Sequence, residues 1–458
     1  MTQGGHMENN QSRKLGLGAC VAILIGGCIG SAVFSLSGLT MYYAGPACII
    51  SWIIAAFIMY FYGIQVTELA VRYPKSGGIF VFPQKALGEN KPRRGAFWGF
   101  ISMWGYVVSN IIAIAFSAIY VSTYLSAGFP ALDNQVLLAV LACLLCMVFN
   151  LLKITDFGKI NNLFVGALII TFLIYMGVSI FGGTFDSALF TPFFTQGIKG
   201  GSGFISAIPI AAVAYGACVS IGFMVSEVKD PNRTVPRSLL IALAVITFLY
   251  VLMLVGTLGN LNIEILKDDN NAFFRYVPMF ASIWAGGLAQ HAWLSKLISI
   301  SALLALITTM LVLTALNARA IQATADSGYF PKVFSKTNRN GIPAAATVLV
   351  TVCAILLSLF PEYTEILVGL GALFSVVSIV ITCISLIVAR KNHPLESTAF
   401  HAPGGNILPV ITIVLLTLCY VPDIISGSWQ LWVFTAATYA VAIIIFLFAD
   451  KKKKVKNG

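Results

Sequence analysis

Two stretches of this sequence interrupt apolar runs in a way that exposes backbone groups where a ligand could use them. The run 16–42 carries Gly26-Gly27-Cys28-Ile29-Gly30-Ser31 near its middle. The run 203–227 carries Ala214-Tyr215-Gly216-Ala217-Cys218-Val219-Ser220 after Pro209. Glycine costs a helix about 1 kcal/mol relative to alanine, and three crowd the first stretch. A helix broken there frees N–H and C=O groups that lipid cannot satisfy but a bound zwitterion can. The N-terminus of the resumed half suits a carboxylate, and the carbonyl end of the other half suits an ammonium. The other reading of these glycines is close helix packing through small residues.

Side-chain chemistry is sparse by comparison. None of the 17 Asp and Glu falls at the middle of a predicted span. His291 and His401 lie near span ends and His393 in a loop. An intramembrane enzyme needs a mid-span acid–base cluster or a base beside a nucleophile, so catalysis is not expected. The nine cysteines all lie in apolar stretches, which argues against a disulfide framework or a metal site. Neither cofactor nor metal is expected.

The elements that must position the two breaks follow from composition. The 458 residues are 58% hydrophobic and 10% charged; soluble chains carry roughly 25% charged residues. The chain reads as an all-α polytopic membrane protein. Spans need about 20 apolar residues, and twelve stretches qualify: 16–42, 45–71, 97–127, 134–152, 158–182, 203–227, 236–259, 288–322, 342–360, 363–389, 406–424 and 428–449. Lys and Arg gather in alternate loops and at both ends, leaving only Lys199, Lys267, Arg275 and Lys296 to the other side or the spans. Both termini are therefore expected in the cytoplasm, in the cell membrane. That distribution also excludes a nucleic-acid face despite the net charge of +11.

Residues 1–14 read as a cytoplasmic tail, with Met1–His6 a tag-like remnant set aside, and 450–458 as a basic cytoplasmic tail at the inner leaflet. Residues 72–94 suggest an interfacial loop or short amphipathic helix, and 260–287 a cap over an outer vestibule.

Four motifs in order resemble the amino acid–polyamine–organocation (APC) transporters over almost the whole chain. They are Gly26–Phe34; Glu68-Leu69-Ala70-Val71-Arg72-Tyr73-Pro74-Lys75-Ser76-Gly77-Gly78-Ile79-Phe80; Glu227–Pro236; and Asn317-Ala318-Arg319 with Asp326-Ser327-Gly328-Tyr329-Phe330-Pro331. The resemblance implies a LeuT-type fold: five spans over 15–182, an inverted repeat of them over 203–389, and two further spans over 406–449. It implies a substrate site at Gly27, Cys28, Gly30, Ser31, Ala32, Asn110, Val213, Tyr215, Gly216 and Val219. The carboxylate contact falls on Gly30, Ser31 and Ala32, and the ammonium contact on carbonyls near Cys28, Val213 and Gly216. Tyr215 is a candidate gate; Glu68, Glu227 and Arg319 are candidate inner-gate groups, with a static loop anchor the other reading. Asn110 aligns with a substrate-contacting Asn of arginine/agmatine antiporters, or makes an inter-helix hydrogen bond.

This sequence departs from its relatives at three positions. Ala32 replaces a Gly, Val219 stands where arginine/agmatine antiporters carry a Glu, and Leu168 stands where some relatives carry a Lys. A cationic substrate would find no carboxylate in the membrane, so a neutral amino acid is favoured. Sodium could use Ser301, Thr308 or Thr309 with carbonyls of the first span, although such hydroxyls also bond neighbouring carbonyls. Exchange of neutral amino acids is the preferred reading. Exchange of an amino acid for its amine, and proton- or sodium-coupled symport, stay open. The expected partners are the small-molecule substrate and the lipid bilayer, with no obligate protein partner.

Overall fold

The computed structural model describes residues 15–73, 78–128, 134–152, 157–219, 228–392, 400–420, 422 and 429–457. Apart from one isolated parallel bridge, Leu15 with Val228, the regular structure is helical. A chain surrounded by hydrocarbon has to satisfy its backbone internally, and an apolar helix does so within one segment.

The first predicted span is two helices, α1 (Leu17–Cys28) and α2 (Ser31–Ala44), separated at Ile29 and Gly30. There follow α3 (Cys48–Arg72), α4 (Gly78–Ala86), α5 (Pro92–Gly128), α6 (Gln135–Leu152) and α7 (Phe157–Phe181). The sixth span enters as α8 (Gly203–Ala214) and gives way at Tyr215 to a 3-10 turn over Gly216–Val219. Next come α9 (Pro231–Leu258), α10 (Pro278–Trp284), α11 (Trp293–Asp326), α12 (Ala344–Ser358), α13 (Thr364–Asn392), α14 (Ile407–Leu418) and α15 (Trp429–Asn457).

Among the described residues, seven helical stretches are long and apolar enough to cross a membrane, and five shorter apolar helices accompany them. Large apolar side chains point away from the protein: Phe181 is 86% exposed and Phe448 72%. Exposure on that scale along many helices calls for lipid as the solvent.

The seventh span begins earlier than its hydropathy suggests. Pro231 occupies the first helical position, where a missing N–H costs nothing, so the helix starts within a polar segment. Residues 78–86 form a short helix, one of the two forms expected for 72–94, packed on α5 with Ile79, Phe80, Val81 and Phe82 buried. The basic end is also more structured than a solvated tail: Asp450 pairs with Arg93 at 2.9 Å, and the Lys453 ammonium donates to the Ser327 carbonyl at 3.0 Å.

Packing divides into two sets. α1 lies along α9, α9 and α8 lie on α3, and α2 lies on α8. α5 is the hub of the other set, packed against α4, α6, α11 and α13. The segment 260–287 caps one end, and its Arg275 holds the cap to α2. The guanidinium sits 4.2 Å over the Tyr42 ring while bonding the Leu266 and Lys267 carbonyls and Asp269.

At the end of α3 the carboxylate of Glu68 is wholly buried. It accepts from Arg72 at 2.7 Å, from Arg390 of α13 at 2.5 Å and from the Ala402 N–H at 2.9 Å. Removing one partner of a buried pair strands the others, at about 3–5 kcal/mol. Glu68→Ala is expected to lower the thermal unfolding temperature of purified protein well beyond an exposed control such as Glu264→Ala. Equal shifts would count against Glu68 as the tie between α3 and α13.

Candidate functional site

The two breaks meet. α1 ends at Cys28, and the chain turns through Ile29 (ψ 81°) and Gly30 (φ −135°, ψ −139°) before Ser31 opens α2. The Cys28 carbonyl has lost its helical donor and accepts instead from the Tyr250 hydroxyl of α9, 2.5 Å away, and from the Gly30 N–H at 2.8 Å. In the sixth span the Tyr215 N–H bonds the Ala212 carbonyl, and the Tyr215 carbonyl accepts from the Cys218 N–H at 3.0 Å. The Cys28 thiol lies 3.8 Å from that same carbonyl and 3.2 Å from the Cys218 sulfur.

Gly27 permits this approach, and Gly30 a second one, to α11. A Cβ at Gly27 would stand 3.1 Å from the Ala217 Cβ, so any larger residue would push α1 off the second break. A Cβ at Gly30 would stand 2.2 Å from the Thr309 hydroxyl oxygen of α11.

Around the junction sits an aromatic cluster that the sequence reading did not single out. Trp52 of α3 meets Tyr215 and Tyr250 edge-on, with ring centroids 6.2 and 5.0 Å away. The Tyr215 hydroxyl donates to the Trp52 carbonyl at 3.2 Å, and the Trp52 indole N–H to Thr40 of α2 at 2.9 Å. Polar-tipped aromatics inside two spans were the available signal, because a buried Tyr or Trp needs a partner for its polar end. Tyr120 and Tyr124 of α5 act similarly, donating to the Ser35 and Phe34 carbonyls of α2.

The remaining candidates are dispersed. Val213, Gly216 and Ala32 are half-buried near the breaks, and Val219 is buried. Asn110 donates to the Asn317 side chain at 3.0 Å, joining α5 to α11. Arg319 is exposed, and Glu227 and Ser220 lie outside the described residues. Leu168 is buried, 2% exposed. Thr308 and Thr309 donate to carbonyls of their own helix, and Ser301 to Thr171 of α7. Arg390, absent from the candidates, is the second cation on Glu68.

A cavity of about 280 Å³ lies beyond the α8 side of the break, lined in part by Tyr43, Lys199, Pro209, Ile210 and Glu365. Pro209 and Ile210 stand five to six residues before Tyr215, roughly 8 Å along a helix. The Tyr43 hydroxyl donates to Glu365 at 2.6 Å, tying α2 to α13 at this mouth.

The family model for amino acid permeases matches residues 15–450. The chain belongs to the amino acid permease family. Among its relatives is the branched-chain amino acid permease BcaP of Bacillus subtilis, 26% identical, with 98% of this chain and 96% of the relative covered. The amino-acid permease RocE of the same organism is 25% identical over 88% of each chain. Among solved structures, a manganese transporter of Eremococcus coleocola matches with a TM-score of 0.61 at 16% identity, covering 94% of this chain and 93% of the other. That last likeness is one of fold: this permease has the LeuT-type architecture of APC transporters.

The permease packs Gly30 so closely that a methyl group is an overpacking change, worth about 1–3 kcal/mol. Gly30→Ala is expected to destabilise the protein, and Thr309→Ala introduced beside it to restore the loss, since the next nearest atom is 3.6 Å off. Thermal unfolding of the single and double variants checks this. A double variant no better than the single would exclude the Thr309 contact as the cause.

Proposed function

We propose that this permease exchanges neutral amino acids across the cell membrane by alternating access, with both termini in the cytoplasm. The observation that carries the reading is the meeting of the two helix breaks. There the groups available among the described residues are the N–H groups that open α2, carbonyls, hydroxyls and thiols. Such a junction recognises the ammonium and carboxylate common to all α-amino acids. The side-chain space beside it, near Val213 and Val219, is apolar. A cationic side chain would be desolvated there without a counter-charge, at a cost of several kcal/mol. The branched-chain specificity in the name of one relative supports the same substrate class.

In this reading Gly30, Ser31 and Ala32 receive the carboxylate. Carbonyls near Cys28 and those of Val213 and Gly216 receive the ammonium, with Gly27 holding the two breaks together. Tyr215 closes the site from one side, and Asn110 borders it through its pairing with Asn317. Glu68, Arg72 and Arg390 latch the inner end; Glu227 and Arg319 complete that gate. Exchange is favoured over proton coupling because Leu168, buried at the fifth-span position, carries no titratable group.

Reconstituted in liposomes, the permease should take up labelled branched-chain or small neutral amino acids when the vesicles hold unlabelled amino acid. Empty vesicles should stay nearly empty. Uptake into empty vesicles that requires sodium or a proton gradient would reject exchange. Val219→Glu should shift competition toward cationic amino acids by roughly tenfold, the worth of one charge-assisted bond. An unchanged competition profile would mean Val219 does not face the substrate side chain.

A further inference from the structure

Cys28 and Cys218 are unusual among the nine cysteines. Each sits where a helix stops: Cys28 is the last residue of α1, and Cys218 lies in the 3-10 turn after α8. Both are buried, 2% and 0% exposed, and their sulfurs are 3.2 Å apart across 190 positions of sequence. A disulfide needs about 2.05 Å between sulfurs, so closure asks for a movement of roughly 1.1 Å. Cys28 is followed by the break at Ile29 and Gly30 rather than by more helix, and Gly27 beside it already allows α1 to lie against Ala217.

We infer that Cys28 and Cys218 form a reversible redox site that joins the two helix breaks and switches the carrier off. The inference rests on the breaks forming the substrate site. A peroxide, small and uncharged, is the oxidant class suited to so buried a pair. One thiol gives up its proton and attacks a peroxide oxygen; the O–O bond breaks, the leaving hydroxide takes up that proton, and a sulfenic acid and water result. The second thiol then attacks the sulfenic sulfur, the S–O bond breaks, and a second water leaves. In sum, two thiols and one hydrogen peroxide give one disulfide and two waters. The two sulfurs are oxidised and the peroxide oxygens reduced.

The linkage has two consequences for transport. It fixes Cys28 to the turn whose carbonyls would receive the ammonium, so the breaks lose the independent adjustment that closing around a substrate requires. It also makes reaction depend on the transport cycle. The thiols are sealed behind Tyr215, Tyr250 and Trp52, so a peroxide reaches them when the site opens to water. A bound amino acid stands in its way.

The test uses the full chain in liposomes. Vesicles are treated with hydrogen peroxide, with and without a saturating neutral amino acid, and free thiols are then blocked. Protease fragments are read by mass spectrometry for a 28–218 linkage, alongside exchange before treatment, after treatment and after a thiol reductant. The expected result is a 28–218 linkage, exchange lowered by roughly tenfold or more because closure is blocked, and recovery on reduction. Amino acid should slow the linkage. In Cys218→Ala, exchange relative to that variant's own untreated value should be insensitive to peroxide. If the variant does not fold, the linkage and its reversal in the unsubstituted chain still decide the matter. Absence of the linkage while exchange is running would overturn the inference, as would a complete linkage with exchange unchanged. Exchange absent from the reduced, untreated protein would instead count against the transport reading, and the linkage would remain readable by mass.

Discussion

A carbonyl or N–H released from a helix inside an apolar interior must find another partner. Leaving one unpaired costs several kcal/mol, and lipid offers no substitute. At the end of α1 the Cys28 carbonyl finds the Tyr250 hydroxyl. At the end of α8 the Tyr215 carbonyl is met by the Cys218 N–H and faces the Cys28 thiol. Much of the arrangement follows from these pairings. Tyr250 places α9 beside α1. Trp52, wedged between Tyr215 and Tyr250, places α3, and through Thr40 it holds α2.

The same constraint explains how polar groups are distributed elsewhere. Within the long helices, hydroxyls bond a carbonyl one turn back: Thr67 to Gly63, Thr308 to Leu304, Thr382 to Ser378. Amides pair across helices, as Asn110 does with Asn317. Full charges cannot be hidden so cheaply, and the buried ones gather where helices end. Glu68 needs two guanidiniums and a backbone N–H to remain buried, and Arg390 reaches the Ala402 and Gly405 carbonyls as well. The middle of the molecule is thereby left to weak, neutral groups. These are suited to a ligand that must bind and leave many times.

The family relationship and the packing bear on different questions. A match along nearly the whole chain makes this an amino acid permease, and the fold is common to transporters of unlike cargo, among them a manganese transporter. A shared architecture therefore says little about what is carried. Substrate class has to be argued from the residues at the breaks. Here those include a valine at position 219 and a pair of thiols in contact.

Hydropathy and glycine content by themselves determined the all-helical membrane class, the approximate extent of the spans and the place of both interruptions. These are local properties: an apolar run long enough to span shows in its composition, and Gly26, Gly27 and Gly30 weaken a helix wherever it packs. The buried role of Glu68 was partly legible, since Arg72 lies four residues on. Its second partner was not, because Arg390 is 322 positions away. The early start of α9 and the docking of Lys453 on Ser327 also escaped composition, the first because proline at a helix's first position looks like a breaker. Asn110 looked equally suited to a ligand or to another helix, and only packing brought Asn317 within reach. Sequence located the two breaks separately. That they touch, sulfur to sulfur, with Tyr250 and Trp52 closing around them, was decided by tertiary structure, since contacts across nearly two hundred residues depend on how helices pack and not on what any one helix contains.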